Sequence, residues 1–441
     1  MSESQVAPPT GGGDGLSALP DALLHSVMSN LTSRQAVQTC ALSRRWRDLW
    51  RSAPCVDIVS AAADGEQHPP AIRRREGWER LESFATNLLM CHSAPTTALD
   101  RFRLSLGLEP GAIFRYEYDA DERHGSVLGR CAAKHVDRWI RWGITSRPAE
   151  ISVELSPELQ IKLPPLGPSA SRRLRTLRLA GVRLDRGFAD SLRSGCPVLD
   201  ALEIRNCVCE FQEIVVSGTL KSLAMDCGMG LNLEEEQQQP RRRVRVVAPG
   251  LASLCLFVGW SPYRDGIFLD GADSLVRASV AAGEGCKFEP MSTQSLREIF
   301  AKLVNVRALK LSRFLEVETL FVDDERHGDF SKFHKLTTLD LEECDMNAVF
   351  RVLPGILQSA PCLEKVTLQH CKFPRGSKRK RGPIEPKMIA FKYRSRLSIS
   401  QSQDLKTIHV RCKKDDICEL IELLRSIGRR LHESTIIVTK I

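Results

Sequence analysis

A short apolar pattern, with aliphatic residues at its first, fourth and sixth positions, returns along most of this chain and constrains what it can fold into. It is seen at Leu174/Leu177/Leu179, Leu199/Leu202/Ile204, Leu220/Leu223/Met225 and Leu251/Leu254/Leu256. Weaker or later copies are Leu275/Ala278/Val280, Val306/Leu309/Leu311, Leu336/Leu339/Leu341, Leu363/Val366/Leu368 and Leu405/Ile408/Val410. Leu99/Phe102/Leu104 is an earlier copy, and Ile151, Val153 and Leu155 mark another candidate strand. Such a degenerate triplet arises by chance about once in forty positions, so spacing carries the argument. From Leu177 through Leu202, Leu223, Leu254, Ala278, Leu309, Leu339 and Val366 to Ile408 the steps are 25, 21, 31, 24, 31, 30, 27 and 42 residues. Most lie near the period of stacked repeats.

Each triplet predicts a short strand whose alternate residues enter a continuous core, followed by a loop and a helical or irregular return. The frames CPVLDALEIRNC (196–207) and APCLEKVTLQHC (360–371) share a proline before the strand and a cysteine after it. Segments 189–197 and 349–361 read as returns. The expected fold class is an α/β or α+β solenoid, an irregular leucine-rich-repeat array over 55–395 behind a helical module over 16–54. A doubly wound α/β domain would need longer apolar strands and a glycine-rich phosphate turn; Gly228-Met229-Gly230 lacks the third glycine.

Composition narrows the function. With 63 basic and 54 acidic residues the net charge is +9, mild for 441 residues. No apolar run approaches the roughly 18 residues of a membrane span, and the first fifteen residues read as a disordered leader rather than a signal peptide. A nuclear or cytoplasmic address is the default. Fifteen cysteines without a C-x-x-C argue against a zinc site or a disulfide framework, and most are expected to be reduced core residues. Arg73-Arg74-Arg75, Arg241-Arg242-Arg243 and Lys378-Arg379-Lys380-Arg381 read as solvated loops, the last also as a candidate nuclear-import signal.

The N-terminal segment reads GLSALPDALLHSVMSNLTSRQAVQTCALSRRWRDLWRSAPCVDI. A first helix should begin near Pro20 and gather Leu23, Leu24, Val27 and Leu31 on one face. Thr32 and Gln35 fit a capping box opening a second helix, with Ala36 and Val37 inward. Ser43 can cap a third, with Trp46, Leu49 and Trp50 on one stripe and Pro54 ending it. This module has two readings: a cap sealing the first repeat, or apolar surface that a partner completes.

The string L-S-x-L-P-D-x-L-L, then A-V-x-T-x-x-L-S-R-R-W-R-x-L-W, resembles the F-box of plant F-box proteins. The repeats resemble the leucine-rich arrays of those families, and residues 396–441, with a strand, an amphipathic helix and a strand, resemble their FBD-type C-terminal region. The resemblance implies docking on a Skp-type adaptor, and through it a cullin ubiquitin ligase, by Leu19, Pro20, Leu23, Leu24, Val27, Leu31 and Val37. Trp46 and Trp50 would hold the third helix.

Nothing in the sequence proposes catalysis. The histidines show no metal-binding spacing, G-x-S-x-G and P-loop motifs are missing, and no catalytic residue, metal or cofactor is expected. The expected role is substrate receptor of a Skp–cullin–F-box ligase; the alternatives are a ligase-independent F-box scaffold and a nucleic-acid-binding repeat protein. The outward strand positions Arg178, Glu203, Ala224, Cys255, Ser279, Lys310, Asp340, Thr367 and His409 mix signs, which argues against phosphate tracking and for a target protein. Arg175, Arg178, Glu203, Lys310 and Asp340 are the target-binding candidates.

Overall fold

The computed structural model describes residues 19–60, 71–93, 98–106, 122–155, 159, 161–167, 172–215, 218–226, 244–258, 266–282, 293–314, 333–344, 359–371, 405–412 and 435–440. The leader, the run at 241–243, the run at 378–381, most of the return at 349–361 and the helix expected in the C-terminal segment lie outside these residues. The chain divides into two compact units, Met1–Leu199 and Asp200–Ile441, both mixing helix with parallel strands.

The first unit opens with helices α1 (Asp21–Met28), α2 (Ser33–Gln38) and α3 (Trp46–Leu49), joined by 3-10 turns at Thr39–Ala41 and Trp50–Ser52. Strands β1 (Cys55–Val59), β2 (Arg101–Ser105), β3 (Glu150–Glu154) and β4 (Thr176–Ala180) come next and pair in parallel in that order. Parallel neighbours need long crossovers; helices α4 (Ala71–Cys91) and α5 (Glu122–Thr145) supply the first two. Strand β5 (Arg183–Leu184) and helix α6 (Gly187–Gly195) end the unit, α6 matching the expected return. Val56, Phe102, Ile151 and Leu177 stand side by side, as do Ile58, Leu104, Val153 and Leu179, and all are buried. On α4 the buried residues Trp78, Leu81, Ala85, Leu88 and Leu89 recur at helical spacing. They meet α5 through Trp78 and Trp139, whose ring centroids are 6.0 Å apart. A Cβ on Gly143 would fall 2.4 Å from the Phe102 ring, so glycine is what lets α5 lie this close to β2. The run Arg73-Arg74-Arg75 falls in the first turns of α4, not in a loop.

The second unit contains β6 (Ala201–Arg205), β7 (Val208–Cys209), β8 (Glu213–Val215), β9 (Ser222–Asp226), β10 (Val244–Val247), β11 (Ser253–Phe257), β12 (Ile267–Asp270) and β13 (Arg277–Ala281). Helix α7 (Thr293–Lys302) precedes β14 (Ala308–Ser312), β15 (Thr338–Glu342), β16 (Lys365–Gln369), β17 (Thr407–Cys412) and β18 (Thr435–Lys440). The main sheet runs β6-β9-β11-β13-β14-β15-β16-β17-β18, with every pairing parallel and in one register. One buried row is Leu202, Leu223, Leu254, Ala278, Leu309, Leu339, Val366 and Ile408; a second runs from Ile204 to Val410. The leading residues Leu220, Leu251, Leu275, Val306, Leu336, Leu363 and Leu405 are buried beneath the turns. The in–out register predicted from the triplets is therefore the register of the sheet.

A second parallel sheet, β8-β10-β12, is not anticipated by the triplets; its buried row is Ile214, Val246 and Leu269. A recurring turn is likewise invisible in them. Asn206, Arg313, Glu343 and His370 have φ of 48°, 64°, 54° and 52°, a left-handed conformation rare outside glycine. Each donates its amide to the next strand, to Asp226, Glu342, Gln369 and Arg411 at 2.8–3.0 Å, and each turns the following residue inward. Those residues are Cys207, Phe314, Cys344 and Cys371, all buried, which accounts for the cysteine shared by the two frames. The expectation of core thiols applies to Cys196, Cys207, Cys209, Cys344 and Cys371, whereas Cys40, Cys91, Cys255 and Cys362 are exposed. No helix among the described residues is long and apolar enough to cross a membrane.

Candidate adaptor-docking and target-binding surfaces

Helix α1 carries a broad apolar arc that the fold splits. Leu24 and Met28 turn inward and pack with Trp46, Leu49 and Ala53, against which Leu19 and Trp50 also lie. Leu23 and Val27, one turn apart on the other side of the arc, are 52% and 46% exposed, and Leu42 is 62% exposed. The single apolar face expected from spacing is thus two faces, because adjacent residues on a helix stand about 100° apart. Leu24, an expected docking residue, belongs to the core with no exposed area. Of the other candidates Pro20 is exposed, and Leu19, Leu31 and Val37 are half-buried. Leu42, which comes after the turn at Thr39–Ala41, has no role assigned from sequence; its place in the A-L-S-R-R stretch is the available signal.

The module is fixed locally by polar contacts. Thr32 and Gln35 form the expected capping box, while at the start of α3 the cap position before Trp46 is taken by Arg45 rather than Ser43. Asp21 and Arg45 pair at 2.6 Å, and His25 Nε2 lies 3.1 Å from Ser52 Oγ. Further contacts join this helical module to β1, β2 and α4. The Asp57 amide donates to the buried Ser33 Oγ at 2.8 Å; Arg101 donates to the Ser29 carbonyl at 2.7 Å; Arg34 stands over the Phe84 ring at 5.6 Å. His92 Nε2 is 3.1 Å from the Ala53 carbonyl, and since a carbonyl can only accept, the proton is on Nε2. Burial pulls the His92 pKa down to about 4, partly opposed by that bond. Burial also raises the Asp57 carboxyl above its usual range, against the opposing charges of Arg103 and Arg101.

An inward half that is packed and bonded, with three large aliphatic side chains left outward, makes a surface suited to a partner protein. Residues 16–56 match the F-box domain family. Over 420 residues the chain is 32% identical to the MEIOTIC F-BOX protein MOF of Oryza sativa subsp. japonica, across 90% of this chain and 80% of that protein. The chain belongs to the F-box protein family. This F-box protein is also 27% identical over 234 residues to an F-box/FBD/LRR-repeat protein of Arabidopsis thaliana, across 48% of this chain and 44% of that one. With an F-box/LRR-repeat protein of the same plant the identity is 26% over 222 residues, again 48% and 44% of the two chains. F-box proteins are in general non-catalytic substrate adaptors, and F-box domains in general bind Skp-type adaptors.

The target-binding candidates do not behave alike. In the first unit Arg175 is exposed and Arg178 pairs with Glu150 on the neighbouring strand β3. In the second, Glu203 pairs with Arg205, and Lys310 reaches Glu342 at 2.8 Å, a bond that holds the Glu342 carboxyl below its ordinary range. Asp340 stands in register between Lys310 and Thr367. Arg178, Glu203 and Lys310 therefore meet acids or bases of this chain itself. Among the described residues no group of His, Cys, Asp and Glu is arranged to hold a metal ion.

Proposed function

We propose that the chain is the substrate-recognition subunit of a Skp–cullin–F-box ubiquitin ligase, acting in the nucleus or cytoplasm. Its F-box docks on a Skp-type adaptor, and the parallel-strand region acts as a leucine-rich-repeat array that holds a target protein. The observation that carries this reading is the outward trio Leu23, Val27 and Leu42 on a module whose opposite side is fully packed. Exposed aliphatics backed by a rigid core have the anatomy of an interface anchor. The uniform register of the second unit supports the array, because each coil buries its leucines only by stacking on its neighbours.

The test is capture of a purified Skp-type adaptor by the full chain carrying Leu23→Ser with Val27→Ser. Removing two aliphatic anchors should weaken docking by about 2 kcal/mol or more, roughly a thirtyfold loss, with the thermal melt unchanged because neither residue is in the core. Undiminished capture overturns the docking surface. Co-purification of a cullin with the parent chain separates a ligase subunit from an F-box scaffold acting alone.

A further inference from the structure

Among the described residues some Lys and Arg side chains are held by acids and others are not, and four of the latter come one after another on successive strands of the second unit. The first residues of β13 and β16, Arg277 and Lys365, and the segments just before β14 and β15, with Arg307 and Lys335, present one exposed cation per successive strand. None of the four makes an ion pair among the described residues, in contrast to Lys310, Arg313, Arg245 and Lys406 of the same unit, which meet Glu342, Glu343, Asp270 and Glu364. Their placement comes from the register. Arg277 is opposite Ala308, and Thr338 opposite Lys365, while the Arg307 amide bonds the Val276 carbonyl and the Arg307 carbonyl accepts from Thr337. Arg277, Arg307 and Lys365 therefore lie along one edge of the sheet, with Lys335 in the turn three residues before β15, and the set spans three strand steps, about 14 Å. On this edge Val276, beside Arg277, is 41% exposed.

We infer that this entry edge, rather than the paired charges on the strand face, binds an acidic segment of the target protein, with Val276 receiving an apolar side chain of that segment. The inference rests on the reading of the chain as a target receptor and names the class of target. Cations without an internal acid attract carboxylates without first breaking an ion pair, and an exposed valine adds what charge alone lacks, a preference for one apolar position. About 14 Å matches four or five residues of extended chain. A continuous polyanion fits less well. Asp273 precedes the edge ahead of β13 and Glu364 interrupts it ahead of β16, so a strand of evenly spaced phosphates would meet repulsion where a short acidic run need not.

The probe is a short fluorescein-labelled peptide rich in Asp and Glu with one central leucine, titrated against the full chain by fluorescence anisotropy. An Asn/Gln counterpart and an oligothymidylate of equal charge are the comparison arms. Saturable binding of the acidic peptide alone is expected, weakened about tenfold or more by Arg277→Ala, Arg307→Ala and Lys365→Ala combined. Val276→Ser should weaken the leucine-bearing peptide but not one with glycine in its place. Unchanged melts would confirm folding, and Arg193→Ala, at an exposed cation on helix α6, should leave the affinity as it is. No binding by the parent chain, equal binding by the triple variant, or tighter binding of the oligothymidylate overturns the inference. Adaptor capture by the same preparations reads the ligase assignment independently, so either can fail while the other stands.

Discussion

His92 is a single side chain on which acid stability should turn. It is buried at the end of α4 with its Nε2–H on the Ala53 carbonyl and an edge-on contact to Trp142, 5.7 Å between centroids. Its folded pKa of about 4 lies below the ordinary value of 6.5, so the native state holds it neutral. The stability tied to neutral His92 is complete above pH 6.5, drains away as pH falls toward 4, and totals about 3 kcal/mol. Replacing it by Gln, which keeps an amide donor and cannot titrate, should flatten the decline of the thermal midpoint between pH 6.5 and 4. Identical acid profiles for the two proteins would mean that the imidazole is not the group being protonated. The residue scale also sets a limit on what the sequence reveals. Leu23 and Leu24 are chemically identical neighbours, and only the packing of Trp46 and Leu49 beneath α1 decides which one faces outward.

At the scale of the element, the strand is the unit that the sequence reveals most faithfully. Leu339 and Asp340 are adjacent, yet one is fully buried between Leu309 and Val366 and the other is turned away from the core. Leu339→Asp should cost about 4 kcal/mol or more, combining a lost core leucine with a buried charge. Asp340→Ala should stay within about 0.5 kcal/mol, and thermal denaturation of the two variants checks both values. The order of these effects is legible because a strand alternates with period two and the triplets repeat often enough to fix the phase. Other elements are hidden for identifiable reasons. The strands β8, β10 and β12 are three or four residues long and lie inside what the triplets leave as returns. Helix α4 opens on an arginine run that reads as solvated loop. The left-handed turns carry Asn, Arg, Glu and His, residue types that announce no turn with the clarity of glycine.

For the molecule as a whole, the F-box helices and the strands after them cannot be treated as separable parts. Ser33 holds the β1 amide at Asp57, Ser29 receives Arg101 of β2, Ala53 receives His92, and the carbonyls of Arg51 and Pro54 accept the amides of Ser93 and Asp100. Removing residues 16–54 strips these groups of their partners and leaves buried donors unsatisfied. A chain so shortened should melt at lower temperature and give less soluble protein, whereas Leu23→Ser with Val27→Ser should do neither. Calorimetry of both proteins is the check, and equal midpoints for parent and shortened chain would show that the joint contributes nothing to stability.

The constancy of register has a consequence for how such a chain can change over generations. Steps as different as the 21 residues from Leu202 to Leu223 and the 42 from Val366 to Ile408 end in the same alignment of leucine beside leucine or its equivalent. The register is thus kept whatever the number of residues between two strands, and each doubling of a flexible connection costs only about 0.6 kcal/mol. Length between strands is therefore a freer variable than register, so added residues can change what lies between two strands while the frame that carries them stays intact.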